Sequence, residues 1–221
     1  MNFEKISIYS ANLMAQKAFY TESLGFQLVD EKLNSFTLKI GKTALQFIEK
    51  QGATNYHYAF NIPSHQGAEA LDWLKDRVKI LDWKGVDLVD FLDWNAEAMY
   101  FYDKDDNIVE FIARKNLNIP RVAKFDASQV VEISEMGAPT ENVQGVYDHL
   151  KQFFSIEKYS GNLSRFAAMG DERGLFIVID HREKKWIPRE DEAYFSPFEV
   201  CLTHQGNRFE LKYENGAFRR C

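Results

Sequence analysis

Residues Met99–Lys115 read MYFYDKDDNIVEFIARK: an apolar, aromatic-rich run, five polar residues, then a second apolar run carrying one carboxylate, Glu110. The pattern predicts a β-hairpin with DKDDN at its turn. Side chains alternate along a strand, so Ile108, Glu110 and Ile112 share one face while Val109, Phe111 and Ala113 share the other. A glutamate between two isoleucines needs a partner, because an unpaired carboxylate removed from water costs several kcal/mol.

Working outward, this hairpin closes a unit of about 50 residues that recurs along the chain. Upstream of it, HYAFNIP predicts a strand beginning near Tyr56. A helix capped by Ser64 follows, with Ala70, Leu71, Leu74 and Val78 on one stripe, then strands at 86–91, 97–102 and 107–113. The first 50 residues have the same order: the strand KISIYS, the helix LMAQKAFYTESL capped by Asn12 and ended by Gly25, and strands at 26–30, 35–40 and 44–49. After the polar connector RKNLNIPRVAKFDASQ, a third copy starts with VVEISE at 130–135. Its helix, 141–154, carries Val143, Val146, Tyr147, Leu150 and Phe154 on one face, and its strands fall at 154–158, 165–169 and 175–180. The residues that remain predict only a hairpin, 198–203 with 208–213, and no fourth helix. The fold class is therefore α+β, built from repeated βαβββ units. The expected organisation is a complete two-unit domain at 1–115 (units 1–50 and 55–115), a connector at 116–129, and a third unit plus a truncated fourth at 130–221.

Composition removes several functional classes. The 221 residues carry a net charge of −6 with Lys and Arg scattered, which argues against a nucleic-acid surface. No apolar run reaches the roughly 18 residues of a membrane span, and MNFEKISIYS lacks the order of a signal peptide, so a cytoplasmic location is expected. Cys201 and Cys221 make neither a disulfide framework nor a metal knuckle. No GxSxG, Walker, GxGxxG or HExxH motif occurs. The 18 Phe and 10 Tyr build a core or line a cavity for a flat ligand, depending on strand register. The cluster IDHREKKW at 179–186 reads as a solvated charged loop in preference to an anion site, and His65, His149 and His204 are assigned no role.

Two stretches carry a resemblance. NLMAQKAFYTESLGFQLV at 12–29 resembles the first helix of the vicinal oxygen chelate superfamily with its FY-x-x-x-LGF ending, and FYDKDDNIVEFI at 101–112 is similar to that family's terminal FxDPDGNxxEL hairpin. The superfamily includes glyoxalase I, ring-cleaving extradiol dioxygenases and the fosfomycin and bleomycin resistance proteins. The resemblance implies curved mixed sheets enclosing a cavity, with inward-pointing metal ligands from four strands. Carried over by position, it implies Gln46, His57 and Glu110 as ligands of a divalent metal (Zn, Ni, Mn or Fe(II)), with Glu110 also the catalytic residue, and Lys5 where the first histidine usually stands. Three readings stay open. One is a metal-dependent lyase, isomerase or dioxygenase-like enzyme acting on a small molecule with vicinal oxygens. Another is a metal-free small-molecule-binding protein in which Lys5 pairs with Glu110. The third is a non-catalytic member acting through protein contacts, with a homodimer among the arrangements the superfamily uses.

Overall fold

The computed structural model describes all residues 1–221. The first unit runs β1 (Asn2–Ser10), α1 (Leu13–Ala18, wound on as a wider turn through Phe19–Ser23), β2 (Gln27–Lys32), β3 (Ser35–Ile40) and β4 (Thr43–Glu49). The second runs β5 (His57–Ile62), α2 (Gly67–Lys75), the short β6 (Ile80–Leu81) and β7 (Val89–Phe91), β8 (Ala96–Tyr102) and β9 (Ile108–Arg114). The third runs β10 (Glu132–Thr140), α3 (Val143–Phe153), β11 (Lys158–Gly161), β12 (Phe166–Asp171) and β13 (Gly174–Asp180). The fourth has strands alone: β14 (Phe198–His204), β15 (Asn207–Glu214) and β16 (Ala217–Arg220). No helix is long and apolar enough to cross a membrane.

These units build two mixed sheets, and the pairing of units decides everything about the site. The first sheet has the order β16-β15-β14-β1-β4-β3-β2, and the second β11-β12-β13-β10-β5-β9-β8-β6, with β7 paired to β8. Within a unit the first and last strands are parallel, as in β1–β4, β5–β9 and β10–β13. Between units the first strands meet antiparallel, β5 with β10 and β1 with β14. Unit two therefore joins unit three, and unit one joins unit four, so each sheet takes strands from both sides of residue 115.

A single large core lies between the sheets, gathering Leu13 and Tyr20 from the first helix, Leu71 and Leu74 from α2, Val143 and Leu150 from α3, and one face of each sheet. The other face of the second sheet holds a smaller apolar cluster that includes Tyr100, Ile108, Ile112, Ile177 and Trp186. Strands β5, β9 and β10 are buried along their whole length, as central strands covered on both faces must be.

Local differences from the sequence expectation have physical causes. The strand expected at 154–158 begins only at Lys158, because Phe154 and Ile156 turn into the main core directly after α3. Ser64 does not cap α2: its hydroxyl donates to the Arg114 carbonyl at 2.7 Å and accepts from the Ile119 amide at 2.8 Å, tying the end of β9 to the chain that leaves it. Asn12 makes no helix cap, and its amide donates instead to Asp105 Oδ1 at 2.8 Å, joining the first helix to the DKDDN turn. The turn itself is organised by Asp103. Its carboxylate accepts from the hydroxyls of Tyr20 and Tyr58, from the amides of Asp105 and Asn107, and from Asn107 Nδ2.

Candidate metal centre and cavity

On β9 the alternation expected from the sequence holds: Val109, Phe111 and Ala113 enter the main core, while Ile108, Glu110 and Ile112 face the other way. Strand β5 runs parallel to it with His57 beside Ile108 and Ala59 beside Glu110. This places His57 and Glu110 on one face, with Nε2 of the histidine 3.6 Å from a glutamate oxygen. Glu135 on β10 completes a cluster of three buried side chains whose ligand atoms all lie within 4.8 Å of one another.

Two expected positions fall elsewhere. Gln46 lies on β4 in the first sheet, where it accepts a hydrogen bond from Ser7 Oγ at 3.0 Å. Lys5 is exposed on the outer face of that sheet, beside a shallow cleft lined by Glu199, Cys201, Arg208 and Glu210, and it makes no pair with Glu110. The reason is the pairing of units. The positions that unit one was expected to contribute to the site of unit two are contributed by unit three. Lys5 neighbours Ala44 on β4 as Glu135 neighbours Leu175 on β13, and Ser7 neighbours Gln46 as Gly137 neighbours Ile177. Thus Glu135 stands where Lys5 was expected, and Ile177 where Gln46 was expected.

Glu135 was hidden from a period-two reading. In VVEISE, strict alternation puts Glu135 on the side of Ile133, which faces the main core. The ladder with β5 is interrupted, however: Ile133 opposes Phe60 and Glu135 opposes Ala59, leaving Ser134 as an extra residue. Such a bulge reverses the facing of everything beyond it, and here it turns a carboxylate toward His57. The only sequence signal was a glutamate at an apolar phase of an otherwise buried strand.

The electrostatics follow from burial. Nδ1 of His57 lies 3.2 Å from the Ile108 carbonyl, which can only accept, so the ring proton sits on Nδ1 and Nε2 presents its lone pair to the carboxylates. Desolvation lowers the His57 pKa to about 4, and the positive Lys184 acts in the same direction. Burial pushes Glu110 well above the usual carboxylate range; the charge of Glu135 adds to this, while Arg114 and Tyr100 oppose it. Glu135 is also raised by burial, against the pull of Arg114. The Arg114 guanidinium is fully buried behind the cluster. Its Nη2 donates to Glu135, its Nε donates to Asn61 Oδ1 at 3.2 Å, and the Trp94 ring covers it at 5.2 Å, whereas Nη1 has no partner.

The cluster forms part of the wall of a cavity of about 240 Å³. Three of the four tryptophans, Trp83, Trp94 and Trp186, line it together with Phe91 and Phe166. Trp83 stacks on Phe91 with ring centroids 5.8 Å apart, and Trp186 packs 4.9 Å from the His57 ring. Gly137 makes the second contact possible, since a Cβ there would lie 2.8 Å from the Trp186 ring. Trp186 and Lys184 reach the cavity from IDHREKKW. That segment is therefore only partly the solvated loop expected: Arg182, Glu183 and Lys185 are exposed, but Lys184 and Trp186 turn inward.

One imidazole nitrogen and two carboxylates, with the imidazole's second nitrogen fixed by a carbonyl, form a donor set suited to a divalent transition ion.

No family model matches the chain, and no curated protein matches it. Among solved structures, a protein from Bacillus subtilis subsp. subtilis str. 168 described as a candidate dioxygenase aligns over 99% of this chain and 68% of its own, with a TM-score of 0.61 and 14% identity. A lactoylglutathione lyase from Agrobacterium tumefaciens aligns over 51% of this chain and 92% of its own (TM-score 0.42, 18% identity). A glyoxalase/bleomycin resistance protein/dioxygenase from Nocardioides aligns over 56% and 89% (TM-score 0.44, 16% identity). With repeated βαβββ units paired through their first strands, and an alignment spanning nearly its full length, the chain has the fold of the vicinal oxygen chelate superfamily.

Proposed function

We propose that this protein is a divalent-metal-dependent enzyme that acts on a small molecule bearing two neighbouring oxygen atoms, with His57, Glu110 and Glu135 holding the ion. The observation that carries this reading is the convergence of three buried ligand groups on one wall of an aromatic cavity. A bound divalent ion would supply Lewis acidity toward a chelated carbonyl or enol oxygen. The chain's own groups have separate tasks. His57 offers Nε2 while the Ile108 carbonyl holds its ring in place, and Arg114 orients Glu135 from behind. The tryptophans exclude water and hold a flat ligand face. Glu110, on the cavity wall beside His57, is the group assigned the proton exchange with the ligand. Gln46 has no part in this proposal.

The test is elemental analysis of protein purified without chelators, then titration of stripped protein with Mn, Fe(II), Ni and Zn. About one ion per chain is expected, with affinity reduced at least tenfold in Glu110→Gln and in Glu135→Gln. Failure to bind any of these ions tightly at neutral pH overturns the reading. That outcome would favour metal-free ligand binding, which the Arg114–Glu135 pair supports because it partners one buried carboxylate without an ion.

A further inference from the structure

Lys184 is the one charged group of the cavity wall that the proposed centre does not employ. The basic residues near it in sequence are engaged: Arg182 pairs with Asp180, and Lys185 with Glu192. The ammonium group of Lys184 makes no ion pair and no hydrogen bond. It lies 5.6 Å from the centre of the Phe166 ring, half-buried, and its principal charged neighbour is another cation, Arg165. Burial and Arg165 both lower its pKa. In the free protein the half-buried cation is compensated only by residual hydration and by the face of the Phe166 ring, with no anion or hydrogen-bond acceptor beside it.

We propose that Lys184 recognises an anionic substituent, a carboxylate or comparable oxyanion, on a flat ligand seated among Trp83, Trp94 and Trp186. This rests on the reading of the cavity as the ligand site, and it narrows the substrate class to planar acids whose anionic group is distinct from the oxygen pair. Lys184 is thus a specificity residue. The stacked Trp83 and Phe91, and the indole of Trp186 over His57, present ring faces suited to a planar body.

Calorimetric titration of the full-length protein with naphthalene-2-carboxylate and with its neutral isostere, naphthalene-2-carboxamide, tests this, both as purified and after loading with Mn. Wild-type protein is expected to bind the carboxylate roughly tenfold or more tightly than the amide, as a charge-assisted contact in a partly dry site should give. Lys184→Met should bring that ratio near one while leaving amide binding in place, and Lys184→Arg should keep the preference. A ratio near one in the wild type, a preference that survives in Lys184→Met, or no binding of either probe to the wild type overturns the proposal. Metal content measured on the same samples separates the two readings. A preference lost in Lys184→Met without bound metal removes the metal centre and retains the anion contact, whereas bound metal without any preference does the reverse.

Discussion

Glu135 stands opposite Ala59 in the ladder between β10 and β5, although Ile133 stands opposite Phe60, because Ser134 is extruded between them. Two steps along β10 thus answer to one along β5, and a glutamate that alternation assigns to the core meets His57 and Glu110 instead. Moving the carboxylate back by one residue, in Ser134→Glu with Glu135→Ser, is expected not to restore the centre. Mn affinity should stay at least tenfold below wild type, measured by calorimetry alongside Glu135→Ser alone.

Arg114 and Glu135 form a buried ion pair in which each justifies the other's burial. Arg114→Met leaves Glu135 and the Asn61 side-chain oxygen Oδ1 without their donor, and should destabilise the protein by about 3–5 kcal/mol in urea denaturation. The double variant Arg114→Met with Glu135→Leu should recover most of that loss. A double variant no more stable than the single one would show that the guanidinium contributes chiefly through other contacts.

Asp103 gathers five donors at the FYDKDDN turn, two of them tyrosine hydroxyls fully buried in the main core. Asp103→Ala leaves these donors to one another, and an expected loss of about 2–4 kcal/mol follows from unmet buried hydrogen bonds. Thermal and chemical unfolding would measure it. Metal affinity should change little in the folded fraction, since Asp103 lies at the turn and not in the cavity wall.

The strap that brings Lys184 and Trp186 over the cavity is rooted at Asp180. Its carboxylate accepts from the Arg182 amide and Nε at 3.0 Å each and from Nη2 at 2.7 Å. The Arg182 hydrogen bonds hold Asp180 below its ordinary pKa, against the effect of burial. A depressed folded-state value means that the contribution to stability is complete above the unfolded aspartate pKa of about 3.9 and is lost as pH falls through the lower folded value. Unfolding free energy measured from pH 5 downward should therefore fall more steeply in the wild type than in Asp180→Asn. Parallel curves would remove Asp180 from the acid response.

Much of the fold was legible in the amino-acid order. The helix of the third unit carries its stripe at 143, 146 and 150, and the strands at 35–40, 96–102 and 108–114 fall within a residue or two of where alternation places them. These signals are local: a helix stripe or a strand face needs only neighbours a few residues away to declare itself. The turn motif was legible as a turn, and the structure adds that its aspartate serves the tyrosines of the core.

That His57 and Glu110 share one sheet face was also readable, since both lie on strands of one unit, in direct pairing with each other's neighbours. Glu135, Lys184 and Trp186 were not, and neither was the displacement of Lys5 and Gln46 to another sheet. The sequence alone determined the repeated unit, its helices and strands, and which face of β9 the glutamate takes, because those follow from short-range periodicity. Only the tertiary structure decided that unit two pairs with unit three, that the ladder slips by one residue at Ser134, and that the strap after β13 folds back over the cavity. Pairing between first strands 75 residues apart is set by the burial of whole sheet faces and by backbone hydrogen bonds that any sequence can make, so no local pattern announces it.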